Sequence, residues 1–286
     1  MGKRRHNEMK KKKKITIGKV IAAILATIWL LVAGAPFYFM TVSSFKEQFE
    51  LLTAGVFSLP EGLYLQNFIE VIKSNFSQYL LNSIIVVAIS LVLILVTASF
   101  AAYPFSRFKF ALNKPLFGVV VAAMAIPIHV TLIPIFQLTQ KLNIYDSIFA
   151  LIGPYTAFNL PISVFILTSF MADIPKELEE SAEIDGCGKF KTFFSIIFPL
   201  SKPGLATLAI YNSVNMWNEF SFAMVLTQSP KSRTLPLSIW EYQGQYQSNI
   251  PMIMTVLTFC AIPMIIAFAI GQDKLIKGMM AGAVKG

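Results

Sequence analysis

The stretch PKELEESAEIDGCGKFKTFFSIIFPLSKP, residues 175–203, is the long polar segment in the second half of a chain that is otherwise largely apolar. Six acidic residues lie between positions 173 and 185, namely Asp173, Glu177, Glu179, Glu180, Glu183 and Asp185. A Gly-Cys-Gly turn and an apolar run follow. Because carboxylates are costly to place in hydrocarbon, we expect this segment to face water, where it can contact a partner.

The composition of the whole chain indicates a membrane protein. Of its 286 residues, 55% are hydrophobic and 14% are charged, and the mean hydropathy is +0.64, whereas soluble domains have about 25% charged residues. The net charge of +9 comes mainly from residues 3–14, which hold eight Lys or Arg and one Glu. A basic run beside an apolar helix is typical of the cytoplasmic membrane surface, so we expect a lipid bilayer and no nucleic acid as partner.

Six weakly charged runs are each long enough for the ~20 residues that a helix needs to cross about 30 Å of hydrocarbon. They cover residues 20–45, 74–106, 115–140, 147–172, 203–230 and 242–272. Backbone groups in lipid must form internal hydrogen bonds, so the runs predict an all-α integral membrane protein, a bundle of six transmembrane helices.

The distribution of basic residues predicts the orientation. Nineteen of the 24 Lys and Arg fall in segments on the side of the N-terminus, which predicts cytoplasmic N- and C-termini and a cytoplasmic loop at 173–202. The predicted regions are a basic N-terminus (1–19), a first span (20–45), an external loop with a short interfacial helix (46–73) and a core domain (74–286). The core domain ends in a C-terminal tail (273–286).

The polar loop carries a spaced pattern. From Glu180 it reads Glu-Ser-Ala, three residues, Gly186, nine residues, Ile196, one residue, Phe198 and Pro199. This resembles the EAA signature of bacterial ABC importer permeases, with Ser181 in place of Ala and Phe198 in place of Leu. Small side chains at Ser181 and Ala182 would let a short helix dock closely into a partner. Gly186 suits a helix end in the left-handed conformation.

The resemblance covers about residues 36–286 and points to the maltose-type carbohydrate permeases. It is carried by Ser43 to Lys46, Asn82-Ser83, Ala102-Tyr103, Arg107-Phe108, Trp217 to Phe220 and the small-residue tail from Met279 to Gly286. It implies a multi-pass subunit of a bacterial cell membrane importer. The implied partners are a second homologous permease, a cytoplasmic ATPase dimer and an external sugar-binding protein.

The resemblance also implies roles for single residues. The ATPase-coupling residues would be Glu180, Ser181, Ala182, Asp185, Gly186 and Pro199. The loop would act as a lever on the bundle, and the tail would enter the ATPase dimer interface unless it is a disordered terminus. ATP and Mg²⁺ would be bound by the partner ATPases, so this chain is expected to be a transport subunit without a cofactor.

No catalytic or metal pattern accompanies the loop. Gly188-Lys189 lacks the upstream Gly and the following Ser or Thr of a phosphate-binding loop. His6 and His129 are isolated, and Cys187 and Cys260 match neither a disulfide framework nor a metal spacing. We therefore expect no catalytic residue and no metal site.

The fifth predicted span carries the candidate substrate pathway. Tyr211, Asn215, Asn218 and Glu219 recur at helical spacing and would lie along one face. These side chains could line the path of a sugar, with the amides bonding its hydroxyls and an aromatic ring stacking on its apolar face. Alternatively, they could hold the helices together by hydrogen bonds.

Other classes of function remain open. Within the same family, the substrate could be a polyamine or glycerol-phosphate. Because Glu219 is the only charged residue inside the predicted spans, a neutral sugar, in the form of an oligosaccharide, is favoured. A secondary transporter would be expected to show an inverted repeat or buried charge pairs, and a membrane enzyme would be expected to show His, Asp or Cys clusters.

Overall fold

The computed structural model describes residues 17–55, 57–244 and 248–283, with side chains described as far as residue 272. The helices are α1 (Ile17–Ser44), α2 (Gln48–Thr53), α3 (Gln66–Lys73), α4 (Phe76–Arg107), α5 (Asn113–Ala123), α6 (Ile128–Lys141), α7 (Phe149–Ala172), α8 (Glu177–Ile184), α9 (Lys189–Leu200), α10 (Lys202–Trp217), α11 (Ser221–Leu226) and α12 (Ile250–Ala283). A 3₁₀ helix, Leu235–Tyr242, lies between α11 and α12. The basic segment 3–14 lies outside the described residues, as do the side chains of the tail.

Within the part of the chain that the structure describes, four helices are long and apolar enough to cross a membrane: α1, α4, α7 and the part of α12 at Ile250–Gln272. Two further pairs of helices are bent at a short break, α5 and α6 by 91° and α9 and α10 by 67°. If each pair forms one span, the number of spans rises to six. The predicted all-α membrane fold is therefore confirmed. The orientation of the termini stays a prediction.

The expected third span at 115–140 is two helices rather than one. α5 ends at Ala123, and the chain turns before Pro127, which precedes the first turn of α6. A proline has no N–H for the helical ladder, and its ring disfavours helical geometry at the preceding residue. Pro154 and Pro161, in contrast, lie inside the continuous helix α7.

The bundle is centred on α4 and α7, which make the most extensive helix–helix contact among the described residues. Small side chains such as Ala98 and Ala102 are fully buried there, as expected where helices approach closely in a membrane. α10 packs against α7 through Gly204, where an added Cβ would lie 2.9 Å from the Phe170 ring. α1 is peripheral: it contacts α12, and its buried residues are Ser43 and Ser44 at its C-terminal end.

The segment 46–73 is anchored to the bundle by buried polar groups. The Asn67 amide donates to the carbonyls of Ser44 and Lys46, at 3.0 and 2.9 Å. The Lys46 side chain is fully buried, and its ammonium donates to Ser58 Oγ at 2.7 Å and to the Gly55 carbonyl at 3.3 Å. The short helix expected in this segment is α3, an amphipathic helix that buries Asn67 and Val71.

Asp146, in the loop between α6 and α7, holds the chain that follows α11. Its carboxylate accepts hydrogen bonds from the N–H groups of Gln228 and Ser229, at 2.7 and 2.9 Å, and from the Ser232 hydroxyl. Burial alone would raise the pKa of Asp146, but the bonds from Ser232, Ser229 and Gln228 outweigh it and lower the pKa below its ordinary value. Folding therefore favours the ionised form of the Asp146 carboxylate.

Candidate functional site

The predicted EAA loop forms the short helix α8 and the longer helix α9. Acidic residues in the first turn of α8 (Glu177, Glu179 and Glu180) complement the positive end of the helix dipole. At the other end, the Cys187 N–H donates to the Ala182 carbonyl at 2.8 Å, and the Gly186 N–H donates to the Glu183 carbonyl at 3.0 Å. Gly186 has φ +76°, so α8 ends in a Schellman motif. The predicted left-handed conformation of Gly186 is confirmed.

The two faces of α8 differ in exposure. Glu180, Ser181 and Asp185 are exposed, and Ile184, with 87% exposure, adds an apolar side chain to that surface. Ala182 is buried against the chain itself. Of the two small residues expected to dock into a partner, only Ser181 is therefore available, and its hydroxyl already donates to the Glu177 carbonyl at 2.8 Å.

Glu179, next to Glu180, points into the chain and meets Arg107 at the end of α4. The distance from Arg107 Nε to Glu179 Oε1 is 2.8 Å, and the two side chains are 2% and 12% exposed. Arg107 also donates through Nη2 to the Ile174 carbonyl at 2.7 Å, and the Tyr103 hydroxyl lies 3.5 Å from Glu179 Oε2. From the sequence, Tyr103 and Arg107 were family-like residues without a role. The only feature of the sequence that could have indicated a role for Arg107 is its position, as a basic residue at the end of a long apolar helix.

Pro199 lies in α9, separated by one residue from a turn of π-helix at Phe193–Ile197. The proline cannot donate to the carbonyl one turn earlier, and a π turn is one way in which a helix accommodates such a loss. Phe193 and Ile197 are buried in the core at this end of the bundle. Pro199 therefore shapes the packed base from which α8 projects and stands apart from Glu180, Ser181 and Asp185.

The four candidate pathway residues do not share one helical face. Tyr211, at 43% exposure, and Asn215 are exposed on α10, but α10 ends at Trp217. Asn218 lies beyond it, and its amide donates to the Val214 carbonyl at 2.8 Å. The prediction of one uninterrupted helix across 203–230 is therefore wrong.

Glu219 caps a helix. Its two carboxylate oxygens accept the N–H groups of Phe222 and Ala223, at 2.8 and 3.2 Å, in the first turn of α11. Unpaired N–H groups at a helix start need such acceptors. The carboxylate of Glu219, the only charged residue in the predicted spans, therefore accepts hydrogen bonds from the backbone.

Asn212, which the sequence pattern did not single out, joins two neighbouring helices. It is fully buried, and its amide donates to Ser163 Oγ on α7 at 2.9 Å. Tyr211 and Asn215, on either side of it in the sequence, remain exposed on α10. Among the described residues, no group of His, Cys, Asp or Glu side chains comes together that could hold a metal ion.

Comparison with known proteins gives a consistent result. Residues 94–280 match the family described as binding-protein-dependent transport system inner membrane component. The chain is 57% identical over 263 residues to a putative ABC transporter permease protein of Caldicellulosiruptor sp. (strain Rt8B.4), covering 92% of this chain and 96% of the relative. It is 31% identical over 268 residues to the melibiose/raffinose/stachyose import permease protein MelC of Bacillus subtilis (strain 168), covering 93% of this chain and 96% of that one.

The fold is also similar to that of a solved transporter. A chain in the crystal structure of a bacterial ABC transporter involved in the import of the acidic polysaccharide alginate aligns with a TM-score of 0.77 and 21% identity. The alignment covers 90% of this chain and 96% of that chain. Because the sequence identity is low, this similarity shows a shared fold and no more.

Proposed function

Since the chain belongs to the family of binding-protein-dependent transport system inner membrane components, whose members are transport subunits rather than enzymes, we propose that it is one permease of an ATP-driven sugar importer. It pairs with a second homologous permease, and the translocation pathway runs between the two. An ATPase dimer in the cytoplasm binds ATP and Mg²⁺, and an external binding protein delivers the sugar. The complex resides in the plasma membrane of a bacterium.

The observation that carries this proposal is α8. It is a short helix with an exposed acidic face, ended by a left-handed Gly186 and held at the end of the bundle by a buried ion pair. Such a helix presents a rigid, charged surface to a partner. In the proposed orientation the α8 end is cytoplasmic and Glu180, Ser181 and Asp185 face the ATPase, while α2 and α3 lie on the external side.

The substrate class is proposed from three observations. A relative of similar length is named for the import of melibiose, raffinose and stachyose, which are neutral oligosaccharides. Tyr211 and Asn215 offer a ring and an amide on an exposed face of α10, groups that can stack on a sugar and bond its hydroxyls. Glu219, the one acid predicted there, has both oxygens bonded to the backbone.

The test is reconstitution of the native complex. The tagged chain is purified from its membrane, the proteins that accompany it are identified, and the complex is placed in proteoliposomes containing ATP. We expect a second permease and an ATPase to co-purify, and ATP to drive uptake of labelled neutral oligosaccharides delivered by the external binding protein. Spermidine, glycerol 3-phosphate and an acidic oligosaccharide serve as comparators.

The outcomes separate the parts of the proposal. Uptake of one comparator in place of the neutral sugars would overturn the substrate class and keep the importer. Recovery of the chain without an ATPase, with uptake driven by an ion gradient, would overturn the importer itself.

A further inference from the structure

We propose that Arg107 is a positioning residue for energy coupling, which with Tyr103 holds the loop around α8 so that α8 and α4 move as one body. This inference rests on the proposed function, because it names the route by which a movement of α8 enters the membrane-spanning bundle. Arg107 touches neither nucleotide nor transported sugar in this scheme. It acts through Glu179 and through the backbone of the loop.

The attachment is made at three points along the loop. Before α8, Arg107 Nη2 donates to the Ile174 carbonyl at 2.7 Å. Within α8, Arg107 Nε lies 2.8 Å from Glu179 Oε1, and the Tyr103 hydroxyl lies 3.5 Å from Oε2. After α8, the Tyr103 hydroxyl lies 3.4 Å from the Lys189 carbonyl. Arg107 therefore holds the start and the body of the coupling segment, and the single hydroxyl proton of Tyr103 is available either to the body, at Glu179, or to the exit, at the Lys189 carbonyl.

The two anchoring side chains are spaced to act together. Tyr103 and Arg107 are four residues apart on α4, so they project from the same face, one turn apart. Arginine suits this position because its planar guanidinium presents several donors in fixed directions, which a lysine cannot do. Glu179 thus has the Arg107 guanidinium paired with one carboxylate oxygen and the Tyr103 hydroxyl near the other.

Burial makes the attachment stiff. The side chains of Arg107 and Glu179 are almost fully removed from solvent, and charges in such surroundings interact more strongly and are screened less by salt than exposed charges. The same loop carries a second ion pair, Glu183 with Lys189, whose side chains are 47% and 57% exposed. Exposed pairs contribute little, so the second pair provides a matched control.

The structure also indicates why a displacement of α8 would be transmitted to α4. α8 follows α7 and precedes α9 in the chain, yet its buried ion pair is made to α4. α4 in turn makes the most extensive contact with α7. A displacement of α8 is therefore delivered to the central helix pair of the bundle rather than to its periphery.

The experiment uses the reconstituted complex and measures sugar uptake and ATP hydrolysis in the same proteoliposomes. Arg107→Gln and Glu179→Gln are compared with the wild type, and Lys189→Gln, on α9, serves as the control that removes the exposed pair without changing α8. For Arg107→Gln and Glu179→Gln we expect the ATPase to remain bound while the sugar transported per ATP hydrolysed falls about tenfold, a typical size for coupling between sites. Arg107→Lys should retain part of the coupling, and the Lys189→Gln control should match the wild type.

A distance measurement in the complex adds a comparison, made with Arg107 present, that does not depend on the variants folding. Spin labels at Lys109→Cys, just after α4, and at Glu183→Cys, on α8, are introduced with Cys187 and Cys260 replaced by Ser. We expect the distance between the labels to stay the same with and without bound ATP when Arg107 is present, and to broaden or shift with ATP in Arg107→Gln.

Two results would overturn the inference while leaving the importer intact: a change of the 109–183 distance with ATP when Arg107 is present, or wild-type transport per ATP in Arg107→Gln. If the wild-type complex itself shows no ATP-dependent uptake, the proposed function fails instead.

Discussion

Glu179 and Glu180 are adjacent in the chain but differ in their surroundings: the carboxylate of Glu179 is buried against Arg107, and the Glu180 side chain is exposed on α8. The two residues can therefore be tested separately. A change at position 179 acts on the attachment of α8 to its own chain, and a change at position 180 acts on the surface offered to a partner.

Glu180→Lys should weaken binding of the ATPase without preventing membrane insertion. We expect the acidic Glu180 to face a basic residue of the ATPase, and juxtaposing two like charges at an interface costs several kcal/mol, so co-purified ATPase should fall at least about tenfold. The measurement is the ratio of ATPase to permease after affinity purification. Glu70→Lys, the same change at an exposed acid on α3, is the control. Full ATPase recovery and normal uptake in Glu180→Lys would remove the coupling role from α8.

Gly186→Ala should loosen the C-terminal end of α8. The site has open space for a Cβ, but φ is +76°, and a left-handed conformation costs a non-glycine residue about 1–2 kcal/mol. We expect faster hydrogen exchange at the Cys187 amide, which closes the Schellman motif.

The control for Gly186→Ala is Gly188→Ala. Gly188 also has open space around it, but its φ of −73° suits any residue. Equal exchange rates in the two variants would show that the left-handed turn does not limit the stability of α8.

Asp146→Asn should free the segment that follows α11. Hydrogen bonds to charged groups contribute about 1.5–3 kcal/mol each, and the carboxylate accepts from Gln228, Ser229 and Ser232. We expect faster hydrogen exchange at the amides of Gln228 and Ser229. Glu70→Gln, at an exposed acid, is the control, and unchanged protection in Asp146→Asn would contradict the anchoring role.

The same carboxylate predicts a dependence on pH. Because the pKa of Asp146 is lower in the folded protein than its ordinary value, its stabilisation is fully present above about pH 4 and is lost as the pH falls through the folded pKa. Protection of the Gln228 and Ser229 amides, corrected for intrinsic exchange, should therefore decline below about pH 4. Asp146→Asn should abolish this decline; a decline that persists in the variant would assign it to another group.

Gly204→Ala should separate α10 from α7. An added Cβ would lie 2.9 Å from the Phe170 ring, and overpacking of this kind costs about 1–3 kcal/mol. We expect a lower unfolding temperature in detergent, partly restored by the additional change Phe170→Leu. Gly153→Ala places a methyl group in open space on α7 and should leave the unfolding temperature unchanged.

The sequence predicts features that depend on local spacing. The pattern from Glu180 to Pro199 predicts a short helix ended by a left-handed glycine, because both the helix and its Schellman end are built from residues within a few positions of Gly186. Long apolar runs likewise predict helices, because lipid requires internal hydrogen bonds.

Features that depend on distant partners could not be predicted in the same way. The contact between Arg107 and Glu179 joins residues far apart in the chain, and nothing near either residue indicates the other. The break after Trp217 was missed because an apolar composition does not show where the backbone ladder ends. Glu219, expected either to line the pathway or to join helices, instead caps a helix start that only the structure reveals.

The burial of Lys46 has a chemical consequence. Acylating reagents must reach the amine that they modify, and the Lys46 side chain is enclosed and bonded to Ser58 and Gly55. Lys73 and Lys141, at the same end of the bundle, are exposed and should be modified first. Mass-spectrometric detection of acylated Lys46 would therefore act as a covalent record that segment 46–73 has opened.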